Sequence, residues 1–274
     1  MTVVELTNKT KAFLFAYNLF AKDEIQQIQL QHRLNLTEAF GIKEGMSVLE
    51  IGCGQGDTTA ALADAAGQTG KVIALDSASR HYGAPKTLGQ ATDKIKSSVL
   101  GDRITFHFEM DVELFESSEQ FDVAVLSHSS WYFQRPEDLL LSFKKLRKIA
   151  KSICIAEWDI DFTHLSQRSH FCAASILALH SNFVKNDGNI QNLFHKNQIR
   201  QLLNQAGFQI ETEGIVDATY LQDAQWEMSY ANSIRKEFAN VPPMIQTLAT
   251  TYYELMNGSN ENERSLNSFI LRAK

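Results

Sequence analysis

Apolar residues recur at three- and four-residue steps through Phe13, Leu14, Tyr17, Leu19, Phe20, Ile25, Ile28 and Leu36. That period predicts helix over residues 1–40. Past the turn Gly41–Gly45, short apolar runs alternate with helical stretches. The runs Met46–Ile51, Lys71–Leu75, Arg103–Phe108, Phe121–Leu126 and Ser152–Ala156 predict five buried strands. Thr58–Ala66, Lys86–Val99 and Pro136–Ile149 predict helices between them. The last opens with Pro136, Glu137 and Asp138 and closes with Arg147 and Lys148, an order that suits the helix dipole. Strands alternating with helices predict a doubly wound parallel sheet covered on both faces, with ligands beyond the carboxyl ends of the strands.

After Ala156 the rhythm changes. Residues 160–190 read as helix rich in histidine and aromatic residues, and Lys196–Gln205 as a further helix. Gln209–Val216 predicts a sixth strand, 221–257 a second helical stretch, Asn257–Asn260 a turn, and Leu266–Leu271 a final strand. The expected organisation is a helical segment (1–40), an α/β core (41–159), a helical cap (160–193) and a return to the core (194–274) with a helical insertion at about 221–257. The apolar positions of that insertion suit either inward packing or a homodimer face.

Composition narrows the function classes. The 274 residues are 44% hydrophobic and 21% charged, enough for a sizeable core. The net charge of -6 argues against a nucleic-acid partner, whose phosphates an acidic protein repels. Cys53, Cys154 and Cys172 stand far apart without a CxxC pair, so neither a disulfide framework nor a zinc knuckle is expected, and a cytoplasmic setting fits. No apolar run approaches the roughly 20 residues of a membrane span, so integral membrane association is not expected. The run Ala12–Ala21 follows two lysines as a signal peptide would, but Asn18 interrupts it and no small-residue cleavage site follows.

The strongest chemical signal is Val48–Gly56, reading VLEIGCGQG. Glycine lets the chain turn sharply after a buried strand and lets a ligand touch bare main chain. The spacing G-x-G-x-G is neither the dinucleotide nor the P-loop pattern, which disfavours NAD and ATP. Asp76 ends the next strand, where a carboxylate can accept two ribose hydroxyls, although a helix cap or turn is the plainer reading. Met110-Asp111 follows the third strand. Together Glu50–Gly56, Asp76, Asp111 and Phe121–Leu126 resemble the ordered motifs of class I S-adenosylmethionine (SAM)-dependent methyltransferases, and Phe194–Phe208 resembles the helix and AGF turn before that family's sixth strand.

The resemblance implies a Rossmann-like, doubly wound, mostly parallel seven-stranded α/β sheet with a helical cap insertion, and SAM as cofactor. It implies that Gly52, Gly54 and Gly56 wrap the methionine and ribose of SAM, with Cys53 in the same loop, and that Glu50 holds the loop or the amino group. By the same likeness Asp76, with Ser77 beside it, binds the ribose, Met110 and Asp111 meet the adenine, and Ser127 lies at the methionine end. The chain departs from the common pattern at Ser77–Leu88, which is longer and carries Gly83-Ala84-Pro85. The cap resembles those of small-molecule methyltransferases, with a weaker likeness to lipid-acting cyclopropane fatty acid synthases.

The acceptor is expected above the fourth and fifth strands, which lead into His128–Phe133 and Glu157–Asp159. His128 is a candidate general base because its pKa lies near neutrality, with Glu157 as a second titratable candidate. Trp131, Tyr132 and Trp158 are candidates for an aromatic wall against the substrate, the alternative being packing of the cap. His164, His170 and His180 lack metal-ligand spacing, so no metal is expected. The leading function is methylation of a small-molecule acceptor. The alternatives are a lipid-modifying SAM enzyme and a SAM-binding module without catalysis.

Overall fold

A computed structural model describes residues 4–20, 22–186, 188–258 and 262–274. The expected turn at 257–260 therefore lies partly outside the described residues. Seven strands form one sheet: β1 (Ser47–Ile51), β2 (Lys71–Leu75), β3 (Ile104–His107), β4 (Val123–Ser127), β5 (Ile153–Trp158), β6 (Ile210–Val216) and β7 (Ser268–Ala273). Their spatial order is β3-β2-β1-β4-β5-β7-β6. The first five are parallel, and β7 enters antiparallel between β5 and β6. This is the Rossmann-like arrangement expected, and the strand order reverses at β1, where β2 lies on one side and β4 on the other.

The helices are α1 (Asn8–Tyr17), α2 (Glu24–Phe40), α3 (Asp57–Ala65), α4 (Leu88–Lys96), α5 (Pro136–Ile149), α6 (Arg168–Phe183), α7 (Lys196–Gln205), α8 (Asp223–Ser233) and α9 (Pro243–Asn257). The single helix expected over residues 1–40 is two, because Asn18 and Phe20 both take the left-handed conformation and Asp23 caps α2. Likewise 160–190 holds one long helix, α6, and 221–257 holds α8 and α9 joined by a 3-10 turn at Arg235–Asn240.

Successive strand residues point to opposite faces and fill two cores. Leu49, Ile51, Leu126 and Ile155 pack with α5, α6 and α7, while Val48, Val125 and Cys154 pack with α2 and α3. Glu50 shares the parity of Val48, so its carboxyl enters the α2–α3 side. Helix α2 follows that face: Cys154 Sγ lies 3.7 Å from the Phe40 carbonyl, and His32, two turns earlier, meets Ser268 at the carboxyl edge.

The segment over α6 is held by two rungs of the same kind. His170 Nε2 lies 2.9 Å from Glu227 Oε2, and His180 Nε2 lies 2.7 Å from Glu237 Oε2. Leu266 N–H donates to His170 Nδ1 at 2.8 Å, so that nitrogen is bare and the proton sits on Nε2, facing Glu227. At the opposite edge of the sheet, Asp122 gathers the starts of three strands. Its Oδ2 accepts from Ser47 N–H at 2.9 Å, and its Oδ1 from Lys151 at 2.7 Å.

The Lys151 ammonium, and then the Ser47 N–H, hold Asp122 below the usual carboxylate range. The stabilisation is therefore present above the unfolded pKa and is lost as pH falls through the lower folded value. Asp122→Asn should lower the melting temperature at pH 7 by a few degrees and flatten its acid-side decline below about pH 4. Thermal melts from neutral to acid pH check this, and unchanged acid sensitivity would refute it.

Candidate active site

The chain turns at the end of β1 on three residues of positive φ: Gly52 (+75°), Gly54 (+52°) and Gly56 (+85°). Their surroundings differ. A Cβ at Gly54 would meet no heavy atom within 4 Å, so this glycine faces open space. A Cβ on Gly52 would strike Ser129 Cβ at 2.5 Å, and one on Gly56 would strike Ile95 Cδ1 at 2.8 Å and Phe106 at 3.1 Å. Gly56 thus lets α3 sit close to α4 and β3, and its N–H is taken by the Cys53 carbonyl at 2.9 Å. Its missing side chain thus serves packing, whereas the expectation for the third glycine is contact with the cofactor. Cys53 is buried, and burial raises its thiol, so it is not a nucleophile.

Asp76 ends β2 with its carboxylate turned into the loop. Oδ2 accepts from Gly54 N–H at 2.8 Å and Oδ1 from Ala78 N–H at 2.9 Å. Each oxygen keeps a further lone pair, as a vicinal diol needs. Ser77 and Asp111 are exposed beside it, and Met110 is half-buried against the core, its N–H on the Asp76 carbonyl at 3.0 Å. At the end of β4, Ser127 is buried and its Oγ has no hydrogen-bond partner. The open face at Gly54, the inward carboxylate and the unpartnered hydroxyl fit a nucleoside with a polar tail.

Glu50 lies under this loop, 1% exposed, with Oε2 accepting from Thr59 Oγ at 2.5 Å. Burial pushes its pKa up to about 8, against the opposing pull of Thr59 and Arg33.

On the acceptor side the candidates separate. Glu157 is 1% exposed, and its Oε2 accepts from Ser130 N–H (3.1 Å), Ser130 Oγ (2.8 Å) and Trp131 N–H (3.3 Å). Its Oε1 accepts from Trp158 N–H at 3.1 Å and lies 3.3 Å from His128 Nδ1, in range for charge attraction but not aligned as a hydrogen bond. With these partners Glu157 organises the β4 loop instead of meeting a substrate. Trp131 is 2% exposed and spends its indole N–H on the Phe194 carbonyl at 3.2 Å, so it belongs to the core and not to an aromatic wall. Trp158 is also buried, packed at ring-centroid distances of 4.3 Å from His128 and 5.0 Å from His170.

Tyr132 alone of the three is open, at 51% exposure. Even so, protein surrounds its hydroxyl closely enough that desolvation raises the phenol, with the charges of Tyr82, Asp76, Glu157 and Glu227 adding to the effect. Its phenol therefore stays protonated and can donate.

His128 also takes a positive φ, +52°. Its Nε2 lies 3.0 Å from Ser268 Oγ, whose other contact is His32 Nε2 at 3.0 Å. One hydroxyl therefore bridges two imidazoles, while His128 Nδ1 makes no hydrogen bond. His32 is fully buried, and burial, then Arg33 and His128, hold its pKa well below the usual histidine range. Neither His32 nor Ser268 carried a local motif; the topology brings them together from α2 and the first residue of β7. Among the described residues no cluster of three or more His, Cys, Asp or Glu could hold a metal, and the three cysteines are free. No described helix is long and apolar enough to cross a membrane.

Comparison with known proteins now places the chain. Residues 23–213 match the family described as a methyltransferase domain. A cyclopropane-fatty-acyl-phospholipid synthase-like protein from Lactobacillus casei ATCC 334 is 33% identical, with a TM-score of 0.87, over 97% of this chain and 98% of that one. Methyltransferase phomM' of Diaporthe leptostromiformis is 28% identical over 120 residues, 37% of this chain and 31% of its own. Demethylmenaquinone methyltransferase of Staphylococcus aureus (strain MRSA252) is 26% identical over 119 residues, 43% of this chain and 44% of its own. The matches thus span less than half the length of these two curated relatives. The chain belongs to the SAM-dependent methyltransferases, with SAM as its cofactor.

Two outcomes follow. Gly54→Val should abolish SAM binding in isothermal titration, because its side chain would fill the one open face of the loop; unchanged affinity would refute the placement. The raised Glu50 pKa means that the folded protein holds a proton the unfolded chain has lost, so stability falls as pH rises through about 8. Glu50→Gln should remove that part of the slope in ligand-free melts between about pH 5 and 9, and an unaltered slope would contradict it.

Proposed function

We propose that this protein transfers the methyl group of SAM to a small organic acceptor held between the carboxyl ends of β4 and β5 and the helices above them. The observation that carries the reading is the roof. Gln29 of α2 donates to Asp223 of α8 at 2.7 Å, and Asn35 of α2 donates to the Tyr220 hydroxyl at 3.4 Å. Helices from opposite ends of the chain thus meet over the strand ends, where His32 reaches Ser268. Such a cover admits a small molecule and excludes a duplex or a folded protein surface. In support, the acceptor named for one relative, demethylmenaquinone, is a small organic molecule.

Bound SAM supplies a sulfonium whose methyl group is already electrophilic, so the protein's work is alignment and exclusion of water. Gly52 and Gly54 present main chain to the tail, and Asp76 offers its free lone pairs to the ribose hydroxyls. Tyr132, exposed beside the β4 end, offers a protonated hydroxyl to the acceptor. His128, buttressed by Ser268 and Glu157, sets the shape of the same wall. Where the acceptor must lose a proton, His128 Nδ1, which makes no hydrogen bond, is the ring nitrogen to take it.

The test is formation of S-adenosylhomocysteine, followed by mass spectrometry, across hydroxylated aromatics, quinols, small amines and acyl-phospholipid vesicles. Turnover is expected with a small acceptor and not with vesicles; turnover with acyl phospholipid alone, or with nothing offered, would overturn the reading. With the acceptor found, His128→Ala should lower kcat about 10- to 1000-fold while SAM affinity holds within a factor of a few. Wild-type turnover would remove His128 from the site.

A further inference from the structure

The guanidinium of Arg33 stands apart from the other cations of the molecule. Its Nε and Nη1 are shut off from solvent, and neither has a hydrogen-bond partner. Among the described residues it is the one cation with two such orphaned nitrogens, since Arg168 and Arg272 have one each and Arg272 Nε has Glu211 at 3.7 Å. Buried N–H donors of a charged group are costly to leave unmade, which marks a place built for an acceptor that is not a protein atom.

Its position says which acceptor. Arg33 follows His32 on α2, whose imidazole shares Ser268 with His128 at the end of β4. Its charge acts on Glu50, two residues before Gly52, and on Asp57, the first residue of α3 just past Gly56. Helix α2 packs on α3, which begins at the end of the glycine loop, so Arg33 belongs to the helix that covers this face of the sheet. Neither acid is its partner: no ion pair joins Arg33 to either among the described residues, and both carboxyls are raised by burial despite it. A depressed carboxylate is what a close pair would give. The orphaned N–H groups of Arg33 thus await an anion that the protein itself does not supply. The carboxylate of a bound α-amino acid would take the fork of Arg33.

We propose that Arg33 binds the carboxylate of the methionine end of SAM and so selects a cofactor that carries an intact amino acid. This rests on the SAM site described above. Arginine suits the task because its planar fork pairs with both oxygens of a carboxylate, whereas lysine offers a single point of charge.

The experiment compares SAM with decarboxylated SAM, which keeps the sulfonium, nucleoside and ammonium and lacks only the carboxylate. Titration calorimetry reads the affinities on the wild type, Arg33→Gln and Arg33→Lys. The wild type should prefer SAM by about 10- to 100-fold, the range of a charge-assisted hydrogen-bonded pair. Arg33→Gln should bind the two equally, at the weaker affinity, and Arg33→Lys should lie between. Equal weakening of both ligands by Arg33→Gln would show a structural role and overturn the proposal, as would a wild type with no preference. If Arg33→Gln does not fold, the wild-type ratio and Arg33→Lys decide by the same criteria. A wild type that binds neither ligand would instead sink the cofactor site itself.

Discussion

The hydrogen bond from Gly54 N–H to the Asp76 carboxylate, 2.8 Å long, joins the two strand ends on which the site depends. It ties the loop after β1 to the end of β2, on the side of β1 away from β4. Gly52 and Cys53 N–H reinforce the tie by donating to the Leu75 carbonyl at 2.9 and 3.1 Å. With both ends fixed, the chain must pass through backbone angles that side chains avoid, and the open face at Gly54 follows from that. The constraint costs little here, because the parallel strands beneath are packed on both faces. The result is a stiff rim of main chain beside a carboxylate.

The other half of the site is made by distance in sequence. His32, His128, Trp158 and Ser268 come from α2, the β4 loop, β5 and β7, and they meet because β7 runs antiparallel with its first residue opposite Trp158. A fully parallel sheet would put the start of that strand at the other edge. The antiparallel strand thus delivers a hydroxyl to the carboxyl ends of β4 and β5, where it bridges two imidazoles. His32 stays neutral in that setting, so the bridge carries no buried charge of its own. The α2–α8 contact then covers the ensemble.

Much of this was legible in the chain. Short continuous apolar runs alternating with helical stretches marked the strands, and the position of GCGQG between a strand and a helix marked the loop. Asp76 was readable because a strand end fixes where a side chain must lie. The failures have one cause. The run Ser127–Phe133 shows that hydroxyls and aromatics cluster after β4, but not which way each turns. Trp131 turned inward to reach the Phe194 carbonyl, and Glu157 was claimed by the N–H groups of Ser130 and Trp131. Gly56 looked like the third glycine of a ligand loop, yet its missing side chain makes room for Ile95 and Phe106. Arg33 and His32 were hidden in a helix whose apolar spacing spoke only of packing. Their role depends on which strand ends α2 crosses, and that is a tertiary fact.

The most direct test of the account is a crystal structure of the protein with S-adenosylhomocysteine. It should show the nucleoside against the bare main chain of Gly52–Gly54, with both ribose hydroxyls on the Asp76 carboxylate. Density for the ligand elsewhere, or a ribose that leaves Asp76 bonded to protein alone, would contradict it.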